Sequence, residues 1–276
     1  MTARWRLGLA LFLLAAAGPP ASAQGRGQDR PVDLELVLAV DVSWSMDEEE
    51  QRLQREGYVE ALRSEEILSA LRSGAYGRVG LAYVEWAGVA DQRVVVPWGI
   101  VEDRGSLDAF AARLEAAPLR RSAFTAIGDS LAFTAGLFAG NGMEGARRAV
   151  DVSGDGPNNQ GSPVAVKRDE LTARGIVING LPLMTNGGLT SSFDIRELDE
   201  YYANCVIGGP GSFMVPVTEW SQFPEAIRRK LVLELAGTDS ATPTGLPVVT
   251  VQAEPEFDCL IGEKRWLNRS WMWDTR

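Results

Sequence analysis

The segment Asp41-Val42-Ser43-Trp44-Ser45 carries one carboxylate and two hydroxyls at alternate positions, so that their oxygens can converge. Such a set is all hard oxygen. It suits Mg²⁺ rather than Zn²⁺ or copper, with Mn²⁺ or Ca²⁺ as substitutes. Three residues are too few to hold an ion. Two later positions could complete the set: Thr125, at the expected N-cap of a helix within Ser122-Ala123-Phe124-Thr125-Ala126, and Asp155, just past a strand. Each also has a plainer use. Ser43 and Ser45 could cap the first helix, and Thr125 its own. Asp155 could be a turn residue before Gly156. Asp151 rivals Asp155 but lies inside the strand, and Trp44 either lines the ligand face or packs on a neighbouring loop.

What is missing narrows the chemistry further. The 276 residues include no His. That excludes a Ser-His-Asp or Cys-His pair, a His-ligated zinc and a His proton switch. Acid–base work would fall to carboxylates, Tyr or the three lysines Lys167, Lys230 and Lys264. A Mg²⁺-dependent phosphotransferase with Asp41 as nucleophile is one alternative. Such enzymes generally need a carboxylate two positions on as general acid, and Ser43 stands there, a poor proton donor at neutral pH. The expectation is therefore not an enzyme.

The elements that must position these residues follow from the apolar pattern. Leu34–Val40 is a nearly unbroken apolar run ending at Asp41, which predicts a central strand buried on both faces. Asp47–Glu50 places four acids in the first turn of a helix. Val79–Trp86 and Gln92–Trp98 are about five residues apart and predict an antiparallel hairpin, with Pro97 tolerated on an edge. Helices are expected at 106–117, 126–139, 164–174, 195–203 and 219–236, and strands at 149–153, 176–181 and 212–217. Alternating strands and helices predict an α/β fold: a mostly parallel central sheet with one antiparallel edge strand and helices on both faces. Gly208-Gly209-Pro210-Gly211 and Asn186-Gly187-Gly188 match no phosphate-binding pattern and read as turns, near the expected metal face.

With the ligand set in place, the chain resembles the von Willebrand factor A domains over about residues 33–237. Asp41, Ser43 and Ser45 match the DxSxS element of their metal-ion-dependent adhesion site (MIDAS) in full. Thr125 matches less tightly, without the usual Gly pair before it. Asp155-Gly156 matches the third element, with Gly154 where Thr or Ser is commoner. Tyr83-Val84-Glu85-Trp86 and the stretch Asp151 to Asn159 look like a bacterial branch of exported A-domain-like proteins with no assigned function. The resemblance implies a Rossmann-like fold in which Ser43, Ser45 and Thr125 touch Mg²⁺ directly and Asp41 and Asp155 do so directly or through water. It also implies adhesion-type binding, with an Asp or Glu of a protein partner completing the coordination. A domain of the same fold without bound metal is the further alternative.

Residues 1–23 read as a secretory signal: Arg4 and Arg6, an apolar Leu7–Ala17 too short to span a bilayer, and an Ala21-Ser22-Ala23 cleavage site. The mature chain is then expected in the periplasm or outside the cell, without a transmembrane segment. Losing Arg4 and Arg6 takes the net charge from −10 to −12, which repels nucleic acid. An oxidising compartment favours pairing the two cysteines, Cys205 and Cys259. The expected organisation is a signal at 1–23, a polar tail at 24–30, one domain at 31–237 and a disulfide-tied C-terminal extension at 238–276. Within that extension, Trp266, Trp271 and Trp273 form a sugar- or partner-binding patch or pack on the sheet edge.

Overall fold

A computed structural model describes residues 29–185, 195–236, 249–250 and 257–273. The signal sequence, the Asn186-Gly187-Gly188 turn and the expected domain boundary at 237 lie outside these residues. Seven strands form one sheet in the order β3-β2-β1-β4-β5-β6-β7. They are β1 (Arg30–Asp41), β2 (Val79–Trp86), β3 (Gln92–Val101), β4 (Met143–Gly154), β5 (Ile176–Pro182), β6 (Phe213–Met214) and β7 (Val249–Thr250).

β1 lies between β2 and β4 and runs parallel to both. Its unbroken apolar run has a direct cause in the packing. Leu34, Leu36, Leu38 and Val40 enter one core, while Val37 and Ala39 enter the other. The first core packs beneath α1 (Glu48–Leu62), α2 (Glu65–Arg72), α3 (Arg104–Glu115) and a later α7 (Phe223–Ala236). The second packs beneath α4 (Ile127–Leu137), α5 (Val164–Ala173) and α6 (Leu198–Tyr201). β3 is the expected antiparallel edge, and its Pro97 is exposed, costing no ladder bond.

Three expectations need correction. The helix expected at 195–203 is only one turn, α6, which continues as a π-helix over Tyr202–Val206. The Gly208–Gly211 turn is not near the candidate metal face. It abuts Ile176 and Val177 at the start of β5, the opposite end of the parallel sheet. The extension is also more structured than its composition suggested. β7 adds a second antiparallel edge strand beside β6, and Ile261–Trp273 forms a helix, α8. Cys205, in the π-helical turn, is disulfide-bonded to Cys259 just before α8.

Candidate metal centre

In a parallel sheet all the strands end on one side, and ligands collect where neighbouring connections diverge. Here that point lies between β1 and β4. Val40 pairs with Ser153, so Asp41 and the Gly154-Asp155 pair leave the sheet side by side. The chain after β1 turns tightly enough for the Ser43 backbone N–H to donate to Asp41 Oδ1 at 2.7 Å. Ser43 Oγ and Ser45 Oγ are 2.8 Å apart, and Ser45 Oγ donates to Asp155 Oδ1 at 2.7 Å. A hydroxyl has one proton. Ser45 spends its proton on Asp155, so Ser43 is the donor to Ser45. The hydrogen bonds run from Ser43 through Ser45 to Asp155, with Asp41 joined to Ser43 through the backbone.

The serines are not helix caps. Asp47 caps α1, accepting from the Glu50 N–H at 2.8 Å while Glu50 Oε2 accepts from the Asp47 N–H. That capping box leaves the hydroxyls of Ser43 and Ser45 for the centre. Thr125 is not a cap either. α4 begins one residue later than expected, its N-cap is Ala126, and no side chain bonds there. The start of α4 is set from a distance, by the Ala126 N–H donating to Ala87 O at 2.8 Å.

Asn158 and Asn159, which the sequence presents as turn residues, position Thr125. Asn159 Oδ1 accepts from the Thr125 N–H, and the Asn159 N–H donates to Thr125 O, both at 2.9 Å. Asn158 Oδ1 accepts from Gly128 N–H at 3.0 Å, in the first turn of α4. The loop after β4 thus grips the loop before α4. Thr125 is buried and lines the same pocket as Ser43 and Ser45.

Asp151 has a different place. It is buried and paired with Lys230 Nζ at 2.6 Å, on the side of the sheet facing α7. Asp155 is the carboxylate joined to Ser45. Gly154, where a Thr or Ser is commoner in the resembling family, also has a physical reason. A Cβ there would lie 2.9 Å from Tyr202 Oη and 3.0 Å from Asp41 Oδ2. Tyr202 comes from the π-helical turn and was not foreseen. Its hydroxyl occupies the space a side chain at 154 would take.

Asp41 Oδ2 is buried and has no hydrogen-bond partner. Burial, with Asp155 beside it, pushes the Asp41 carboxyl well above the ordinary carboxylate range, and the Ser43 N–H on Oδ1 offsets this only in part. Two neighbouring carboxylates, one with an unsatisfied buried oxygen, are what a divalent cation would discharge. The residues present therefore fit a hard cation. Among the described residues, no group of three or more His, Cys, Asp or Glu is placed to hold a metal ion; this set contributes two carboxylates and three hydroxyls. Asp41 is fully buried, a poor position for a nucleophile that must meet a substrate phosphorus.

The pocket above this centre has a volume of about 350 Å³. Trp44 lines it and is 65% exposed; the Trp44 carbonyl accepts from Arg121 Nη2 at 2.8 Å. Trp266 of α8 lines it as well and meets the Phe124 ring edge-on, with centroids 5.0 Å apart. The side chains of Trp271 and Trp273 lie outside the described residues.

A model of the family described as "Protein of unknown function (DUF1194)" matches residues 31–239. No curated protein matches the chain. Among solved structures, proximal thread matrix protein 1 from the mussel byssus is 16% identical, with a TM-score of 0.54 over 75% of this chain and 49% of that one. Another structure of that protein is described as having a zinc-occupied MIDAS motif. A von Willebrand factor type A protein from Catenulispora acidiphila is 16% identical, with a TM-score of 0.52 over 74% of this chain and 43% of that one. The pilus adhesin SpaC from Lactobacillus rhamnosus GG is 12% identical, with a TM-score of 0.54 over 75% of this chain and 31% of that one. The chain spans less than half the length of each, and at these identities the likeness carries the fold alone.

Proposed function

The chain belongs to the DUF1194 family and has a von Willebrand factor A-like fold, and on that premise we propose that it is an exported, non-enzymatic binding module using a divalent metal. Mg²⁺ is the preferred ion, held by Asp41, Ser43, Ser45, Thr125 and Asp155. The observation that carries this reading is the buried, partnerless Oδ2 of Asp41 beside a second carboxylate. When bound, the metal supplies an electron-poor centre with an open position for an acidic side chain of a protein partner. The chain's own residues do the rest. The Ser43–Ser45–Asp155 hydrogen bonds orient oxygens, and the two asparagines hold Thr125 opposite them. The zinc-occupied MIDAS of the mussel protein lends support by analogy of fold.

Export is the companion reading. It rests on the signal-like residues 1–23 and on the Cys205–Cys259 disulfide, a bond at home in an oxidising compartment. Among the described residues no helix is long and apolar enough to cross a membrane.

The test is thermal unfolding in Mg²⁺, Mn²⁺ or EDTA, with wild type and Ser43→Ala. Metal at 100 times its Kd stabilises by about 2.7 kcal/mol. Ser43→Ala keeps the N–H that Asp41 uses and loses only the hydroxyl. The expected result is a shift in the wild type that the variant loses. No shift in the wild type would leave a structural domain without metal. Phosphatase turnover abolished by Asp41→Asn would overturn the non-enzymatic reading.

A further inference from the structure

The pocket over the candidate metal centre is not closed by the sheet domain alone. Its outer wall is brought in by α8, which is held at the site by a disulfide, by two contacts with Asn158 and by a ring contact. The Cys205–Cys259 disulfide fixes the chain just ahead of the helix. Gly262 lies so close to the loop after β4 that a Cβ would stand 2.0 Å from Asn158 O. Asn158 Nδ2 donates to Glu263 Oε1 at 2.7 Å. One turn further along, Trp266 meets Phe124. Asn158 also holds the first turn of α4, so the wall and the Thr125 loop share one anchor.

The resulting pocket has two chemical ends. Ser43, Ser45 and Thr125 give it an oxygen-rich floor, and Trp44, Phe124 and Trp266 give it aromatic walls. A volume of about 350 Å³ falls at the small end of ligand pockets, the size of one or two side chains rather than a folded surface. Charge points the same way. A protein with a net charge of −10 repels an acidic partner at long range, so affinity must come from contact. A carboxylate on the metal supplies one contact, and aromatic burial beside it supplies the other.

We infer that the site takes a partner segment in which an acidic residue is directly followed by a large aromatic or aliphatic residue, the acid on the floor and the apolar side chain against Trp266. This rests on the metal-dependent reading above and adds what lies next to the acid.

The experiment uses the full mature chain and four capped peptides differing at two positions: Glu-Phe, Glu-Gly, Gln-Phe and Gln-Gly. Affinities are measured calorimetrically in Mg²⁺, and Mg²⁺ alone is titrated separately by thermal shift. Glu-Phe is expected to bind at least tenfold more tightly than either Glu-Gly or Gln-Phe. Trp266→Ala brings the Glu-Phe to Glu-Gly ratio close to one. Gly262→Ala, which pushes α8 off Asn158 without removing an aromatic ring, does the same. Equal affinity for Glu-Phe and Glu-Gly in the wild type, or binding of none of the peptides by a protein that Mg²⁺ does stabilise, overturns this inference and leaves the metal reading standing. Absence of any Mg²⁺ shift overturns both.

Discussion

Replacing Lys230 by Met isolates the cost of a buried charge. Lys230 Nζ lies 2.6 Å from Asp151 Oδ1, 2.9 Å from Glu234 Oε1 and 5.0 Å from the Phe213 ring centroid. Lys230, Asp151 and Glu234 are each 1% exposed. Asn179 extends the group, its Nδ2 donating to both Glu234 oxygens and its Oδ1 accepting from the Phe213 N–H. α7 is thereby tied to β4, β5 and β6. Methionine fills the lysine stem's space but leaves two carboxylates buried without a cation. Breaking a buried pair in this way costs about 3–5 kcal/mol, a large part of a domain's stability. The loss must depend on pH. Burial holds the Asp151 carboxyl up at about 6 even with Lys230 beside it. Without the cation, the Asp151 carboxyl titrates higher still, and at pH 5 its protonation relieves most of the penalty. Urea unfolding should show the full loss at pH 8 and less than half of it at pH 5. Adding Asp151→Asn and Glu234→Gln should recover most of it at pH 8. A loss below about 1 kcal/mol at pH 8, or one equal at both pH values, would refute the reasoning.

The same carboxylate shapes the wild-type profile. Asp151 titrates near 6 in the folded chain against 3.8 for the ordinary group, so the stability it contributes is complete below pH 3.8 and is lost as pH rises through about 6. Asp151→Asn should flatten the unfolding free energy across that window, and an unchanged slope would count against the assignment. Cys259→Ser should lower stability by up to about 4 kcal/mol, the chain-entropy value for a 54-residue loop, and speed amide exchange in α8. Exchange in α8 as slow as in the oxidised wild type would show that the disulfide does not hold it. Gly154→Ala should weaken the Mg²⁺-induced thermal shift, because the new methyl meets Tyr202 Oη and Asp41 Oδ2. Adding Tyr202→Phe should restore part of the shift, and no restoration would mean that the contact with Asp41 alone is at fault.

Much of this was readable because it is local. The run Leu34–Val40 reports a strand buried on both faces because both cores demand apolar residues at every position. Asp41, Ser43 and Ser45 converge because a single tight turn carries them. What was hidden depends on distant pairings. Thr125 looks like a helix cap until the Ala126 N–H is seen bonded to Ala87. Asn158 and Asn159 have the composition of any turn, and nothing local says that their amides serve a loop some 30 residues earlier. Asp151 looked like a rival ligand because its partner Lys230 lies 79 positions away. β7 is two residues long and carries no periodic signal, and the role of the extension emerges only where Gly262 meets Asn158. The cysteine pairing could be argued from the compartment, but not what the bond holds in place.

Phe124 is the one described non-glycine residue with a left-handed backbone, at φ 71°. For a bulky side chain this conformation costs on the order of 1–3 kcal/mol, and it persists only where surrounding bonds impose it. Here those bonds are the Asn159 grip on Thr125 and the Ala87 bond to Ala126. Selection for stability alone would exchange this residue for Gly or Asn. Retaining the ring pays only if the ring is used. In this chain the ring meets Trp266 edge-on and walls the pocket, so Phe124→Gly would relax the backbone and open that wall in the same step.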